Sequence, residues 1–154
     1  MIKLIRTDSC HPDFIALVKK LDNYLKVTDG DEHDFYNQFN AIDNLKNVTV
    51  LYSNNKPVVC GAFKQFDDSK VEIKRMYTLP SERGKGLATK TLNELEDWAK
   101  ELGYTSTVLE TGVRQTEAVE FYKKNNYKVI PNYGQYIGVK NSLCFEKILK
   151  NEKG

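Results

Sequence analysis

The stretch Tyr77-Thr-Leu-Pro-Ser-Glu-Arg-Gly-Lys-Gly-Leu-Ala88 decides how the rest of the chain is read. Val71, Ile73 and Arg75 through Thr78 read as a strand ending near Pro80, and a long amphipathic pattern starts directly after the glycines at 84 and 86. Glycine lacks a β-carbon, so backbone there can approach a ligand closely, and the first amides of a helix carry free N–H groups. Arg83 and Lys85 add positive charge to the same turn. Amides, helix field and local cations together suit a pyrophosphate. A tight turn with two solvated cations is the plainer alternative. Neither common nucleotide fingerprint is present: there is no G-x-x-x-x-G-K-[ST], and position 89, where a dinucleotide motif needs its third glycine, is threonine.

After the turn, Leu87, Ala88, Thr91, Leu92, Leu95, Trp98, Ala99 and Leu102 recur at helical spacing, and Gly103 is a natural C-terminal cap. A strand from Thr105 to Glu110 and a helix from about Thr116 to Asn125 follow, then strands around Tyr127 to Ile130 and Ser142 to Ile148. Upstream of the turn, Val48 to Tyr52 and Pro57 to Phe63 flank Asn54-Asn55, a hairpin signal, and Asp67-Asp68-Ser69 turns the chain into the strand at 71. Ile2, Leu4 and Thr7 suggest a first strand. Phe14, Leu17, Val18, Leu21, Tyr24 and Leu25 form one apolar helical stripe, with Pro12 in its first turn and a break at Thr28 to Asp31. A shorter helix is expected from Glu32 to Ile42. The order is strand, two helices, three strands, helix, strand, helix, two strands. With 154 residues and no linker rich in proline or glycine, a single mixed α/β domain over 1–150 with a short tail at 151–154 is expected.

Composition narrows function. The chain carries 23 Lys and Arg against 21 Asp and Glu, and 40% of it is hydrophobic, which describes an ordinary globule without the basic face a nucleic-acid partner requires. No segment approaches the ~18 uninterrupted apolar residues of a membrane span. Charge interrupts the apolar positions of Met1 to Asp8, so no secretion signal is expected and the cytoplasm is the default compartment. Asn47-Val48-Thr49 matches the glycosylation sequon and carries no weight without such a signal. The three cysteines, Cys10, Cys60 and Cys144, form no CxxC pair; Cys60 and Cys144 sit in apolar runs as small hydrophobes. His11 and His33 have no neighbouring metal-ligand pattern, and the acidic group Asp29, Asp31, Glu32 and Asp34 fails EF-hand spacing, so no metal site is expected.

Two separated motifs and the element order carry a family resemblance. Glu72-Ile-Lys-Arg-Met-Tyr-Thr-Leu-Pro80 followed by Ser81-Glu-Arg-Gly-Lys-Gly-Leu-Ala88 resembles the acyl-coenzyme A binding core of the Gcn5-related N-acetyltransferases, the GNAT family, whose signature is (Q/R)-x-x-G-x-(G/A). Gly84 and Gly86 fill the glycine positions, Ser81 stands where the family has Gln or Arg, and Arg83 is a substitute cation. Leu109 through Tyr127 is similar to the region after the family's fifth strand, N-x-x-A-x-x-x-Y, with Ala118 and Tyr122 in place and Gln115 at the asparagine position.

The resemblance implies a mostly antiparallel mixed sheet of about seven strands flanked by about four helices, splayed between the fourth and fifth strands. It implies transfer of an acetyl group from acetyl-coenzyme A to a primary amine, expected to belong to a small molecule, by direct attack in a ternary complex. Main-chain groups of Met76 and Thr78 would hold the pantetheine arm, the amides of Arg83, Gly84, Lys85, Gly86, Leu87 and Ala88 the pyrophosphate, and Gln115 would join them. Tyr122, protonated at neutral pH, is the candidate proton donor to sulfur, with packing as its alternative role. Glu72 is the candidate base; Glu110 and the absence of any dedicated base are alternatives, and Glu72 could instead pair with Lys74 or Lys64. Alternation places Glu72, Lys74 and Met76 on one face. A non-catalytic acyl-coenzyme A binding or sensing domain is the rival function, and edge strands near the C-terminus permit a homodimer.

Overall fold

The computed structural model describes residues 1–29 and 44–149. A seven-stranded sheet runs in the order β1-β2-β3-β4-β5-β7-β6. Its strands are β1 (Ile2–Thr7), β2 (Asn47–Ser53), β3 (Lys56–Gln65), β4 (Lys70–Thr78), β5 (Ser106–Gly112), β6 (Lys128–Ile130) and β7 (Ser142–Ile148). The helices are α1 (Pro12–Asp29), α2 (Leu87–Glu101) and α3 (Thr116–Lys124). All neighbouring strands are antiparallel except β4 and β5. The helix expected over 32–42 lies outside the described residues, as do Asp31, Glu32, His33 and Asp34.

Local chemistry explains the turns. Asn54 and Asn55 both have positive φ, 51° and 69°, the geometry that two-residue hairpins need and that asparagine tolerates. The Asp67 carboxylate accepts hydrogen bonds from the amides of Ser69 and Lys70, both at 2.8 Å, and closes the β3–β4 turn. Gly103, at φ 95°, ends α2 as its left-handed cap.

The helices lie on opposite faces. Cys60 and Ala62 of β3 join Phe14, Leu17 and Leu21 of α1 in one core cluster. A β-carbon at the intervening Gly61 would point at Leu95 of α2, and Phe63, Ile73, Leu92, Leu95 and Tyr122 form a second cluster on that side. Cys60 and Cys144 are fully buried free thiols. No described helix is long and apolar enough to cross a membrane.

Two irregularities shape the centre of the sheet. β4 and β5 pair only at Lys70↔Ser106, Val71↔Thr107 and Glu72↔Val108, after which no further pairs join them. Between Cys60 and Ala62 the β3–β4 register shifts, and Arg75 has φ 60°. This bulge inserts one residue and reverses the alternation beyond it. Glu72 and Lys74 therefore face the α1 side, whereas Met76 packs with the α2-side cluster, its sulfur over Gly61. The expectation that Glu72, Lys74 and Met76 share a face fails here, because strand periodicity cannot register an inserted residue.

Candidate active site

Where β4 and β5 part, a cavity of about 350 Å³ opens between the start of α2 and α3. Met76, Thr78, Arg83, Gly84, Gly86 and Leu87 line it, together with Ala88, Gln115 and Tyr122. Nearly the whole set of cofactor residues expected from sequence thus converges on one space. Lys85 is the exception: its ammonium lies 3.3 Å from the Glu82 carboxylate and its side chain is 56% exposed.

The start of α2 leaves its first amides uncapped. Gly84 and Gly86 hold φ of 77° and 78°, a region unfavourable to other residues, and a β-carbon at either would meet nothing within 4 Å. Gly86 is the N-cap residue and supplies no side-chain cap, so the first amides of a fifteen-residue helix keep their N–H groups for a ligand. Arg83 is partly committed. Its Nε donates to the Thr78 carbonyl at 3.3 Å, its Nη1 lies 3.2 Å from Glu117, and its guanidinium stacks over the Tyr24 ring at 5.6 Å. The Glu117 pair is exposed and weak, so a phosphate can displace it.

A second chamber, of about 100 Å³, adjoins the first. Met76, Gln115, Ala118, Tyr122 and Leu21 belong to the walls of both. Glu72, Lys74, Arg75, Glu110, Thr111 and Tyr136 line the second alone. Both candidate catalytic side chains, Tyr122 and Glu72, thereby reach the same space.

Tyr122 packs its ring against Phe121, at 5.1 Å between centroids, and Tyr127, at 5.6 Å. Its hydroxyl makes no hydrogen bond among the described residues, and burial pushes its pKa up, so it is a proton donor at any ordinary pH. The packing role weighed from sequence is present, since the ring is core, and the residue also lines both chambers.

Glu72 is buried, and its two oxygens are used differently. Oε2 accepts a 2.7 Å hydrogen bond from the Tyr133 hydroxyl. Among the described residues, Oε1 has long contacts, 3.9 Å, with the ammonium groups of Lys64 and Lys74. The pairing weighed from sequence is therefore present, but at a distance that leaves Oε1 room for another donor. Burial pulls the pKa of Lys74 below its ordinary value, opposed by the charge of Glu72. Burial, and secondarily Glu72, pushes the pKa of the Tyr133 hydroxyl far up, so it keeps the proton it donates to Glu72. Among the described residues no group of three His, Cys, Asp or Glu side chains could hold a metal ion.

Sequence reasoning missed Tyr133, Tyr136 and Arg75 as site residues. The first two sit on the segment between β6 and β7, which has no periodicity to read. That segment is fixed by Asn132, whose Nδ2 donates to the carbonyls of Tyr136, Val139 and Ser142 at 3.0–3.1 Å. Leu21 and Tyr24 of α1 were read as core stripe, and they also line the larger cavity.

Comparison with known proteins agrees with this geometry. The family model described as "Acetyltransferase (GNAT) family" matches residues 14–127. An "IAA acetyltransferase" of Azospirillum brasilense is 27% identical over 96% of this chain and 98% of its own. The crystal structure of a putative acyl-CoA N-acyltransferase from Klebsiella pneumoniae superimposes with a TM-score of 0.80 at 26% identity, covering 97% of this chain and 99% of that one. The PaiA N-acetyltransferase of Thermoplasma acidophilum, solved in complex with coenzyme A, shares the fold with a TM-score of 0.71 at 17% identity, over 96% and 99% of the two chains.

Proposed function

The chain belongs to the acetyltransferase (GNAT) family, and from that premise we propose that it moves an acetyl group from acetyl-coenzyme A to the primary amine of a small molecule, by direct attack with both substrates bound. The observation that carries the reading is the convergence of an uncapped helix start with two left-handed glycines and a buried, unspent tyrosine hydroxyl on adjoining spaces.

The residues fit the donor. The amides at 84–88 and the guanidinium of Arg83 bind the diphosphate, and the β5-facing edge of β4 at Met76 and Thr78, released by the splay, offers backbone groups to the pantetheine arm. Acetyl-coenzyme A supplies the thioester whose acyl carbon the amine attacks. Tyr122 donates its proton to the sulfur as the carbon–sulfur bond breaks, and Glu72 Oε1, with Oε2 held by Tyr133, accepts the proton lost by the amine as the amide bond forms. Solvent then carries a proton from Glu72 and restores the tyrosine. Reacting groups held side by side in this way avoid the entropy loss of a chance encounter.

The test is release of coenzyme A thiol from acetyl-coenzyme A on addition of amines. Transfer that falls about 100-fold in Glu72→Gln, with donor affinity unaltered, supports the reading. Tight binding of acetyl-coenzyme A with no transfer to polyamines, aminoglycosides, amino acids or peptides makes the protein a binding or sensing domain instead.

A further inference from the structure

The bulge in β4 directs an arginine where a regular strand would have sent it to the other side of the sheet. Arg75 reaches α1, where its Nη2 lies 2.6 Å from Asp22 Oδ1 and its side chain is 2% exposed. Its Nε and Nη1 are buried and have no hydrogen-bond partner among the described residues. A charged group taken out of water with donors unspent is destabilising unless an acceptor completes it. Thr111 Oγ1, on the opposite side of the splay, is likewise buried without a partner. Both residues line the smaller chamber, beside Glu72 and Tyr122, and Lys74 brings a second cation to it.

The chamber thus holds both signs of charge: carboxylates at Glu72 and Glu110, cations at Lys74 and Arg75. A simple cationic amine would meet the carboxylates and leave the buried Arg75 Nε and Nη1 without an acceptor. We infer that the acceptor is an amino acid or a similar amine bearing a carboxylate, with the carboxylate received by Arg75 and the amine turned toward Glu72 and Tyr122. The inference rests on the acetyl-transfer reading and assigns its substrate class. The opposing role for Arg75, a strap tying α1 to β4 through Asp22, would affect stability but not the choice between amines.

Glycine, L-phenylalanine, L-methionine and 4-aminobutyrate, each with its primary amide and its decarboxylated amine, form the discriminating panel. The acids should exceed their amides in kcat/KM by about 10- to 100-fold, the scale of a lost charged hydrogen bond. Arg75→Lys, which keeps the charge and removes the planar fork, and Arg75→Gln should shrink that ratio mainly through KM. Equal transfer to acid and amide in the unaltered protein overturns the carboxylate assignment and leaves acetyl transfer standing, whether or not the variants fold. If no amine is acetylated, acetyl transfer falls, and calorimetry of the acids into the protein–coenzyme A complex decides this inference alone. Binding of acids and not amides, weakened by Arg75→Lys, supports it; no such difference ends it.

Discussion

The two chambers that share Tyr122 are built in different ways. The larger is made chiefly from two contiguous stretches, the turn into α2 and helix α3, and what it offers a ligand is backbone amides and helix geometry. The smaller is assembled from side chains on α1, β4, β5 and the segment before β7, and its character comes from charges set by a bulge and a splay. A site made of backbone is specified locally and suits a constant ligand. A site made of side chains from distant elements is specified by tertiary structure, and it can vary without disturbing its neighbour.

Tyr122→Phe should break the comparison at the shared wall. We expect kcat to fall about 10²- to 10⁴-fold, the usual range for a lost general acid, while the affinity for acetyl-coenzyme A stays within about threefold. Unchanged single-turnover rates would remove Tyr122 from the chemistry. Gly84→Val acts on the larger chamber alone. The left-handed φ of 77° costs a β-branched side chain about 1–2 kcal/mol, and its bulk would stand in the proposed diphosphate position, so calorimetry should show coenzyme A affinity down about 10- to 100-fold. Undiminished affinity would place the diphosphate elsewhere.

Gly61→Ala tests the partition between the two. Its β-carbon would lie 2.3 Å from the Met76 sulfur and 2.9 Å from Leu95 Cδ1, an overpacking worth about 1–3 kcal/mol in urea denaturation. Because Met76 belongs to both walls, the KM values for donor and acceptor should rise together. A rise in one alone would mean that the wall is not shared.

The smallest effect concerns Lys74, one of the smaller chamber's two cations. Burial holds the folded-state pKa of Lys74 below its ordinary 10.5. In the window between the lowered value and 10.5 the unfolded chain binds the extra proton, so stability from this group rises with pH there. Lys74→Met should flatten that rise in urea midpoints measured across the alkaline range. An identical slope in the variant would show that Lys74 does not titrate differently on folding.

The same division governs what could be read from sequence. Gly84, Gly86, Gln115 and Tyr122 were legible because each belongs to a short motif beside a periodic helix, and the order of elements along the chain followed from alternation, helical periodicity and turn signals at Asn54-Asn55 and Asp67. Arg75 and Tyr133 were not. An inserted residue in β4 leaves no trace in a period of two, and Tyr133 acquires its partner, Glu72, across 61 positions of chain. The side-chain alternation of Met76 was misread for the first of these reasons.

The central claim is that the free amides beginning α2 hold the diphosphate of the acyl donor. Backbone amide shifts followed during titration with coenzyme A, and separately with pantetheine, which lacks the diphosphate, test it directly. The amides of Gly84, Gly86, Leu87 and Ala88 should move and saturate with coenzyme A and stay in place with pantetheine. Saturable coenzyme A binding that leaves those four amides unmoved would contradict it.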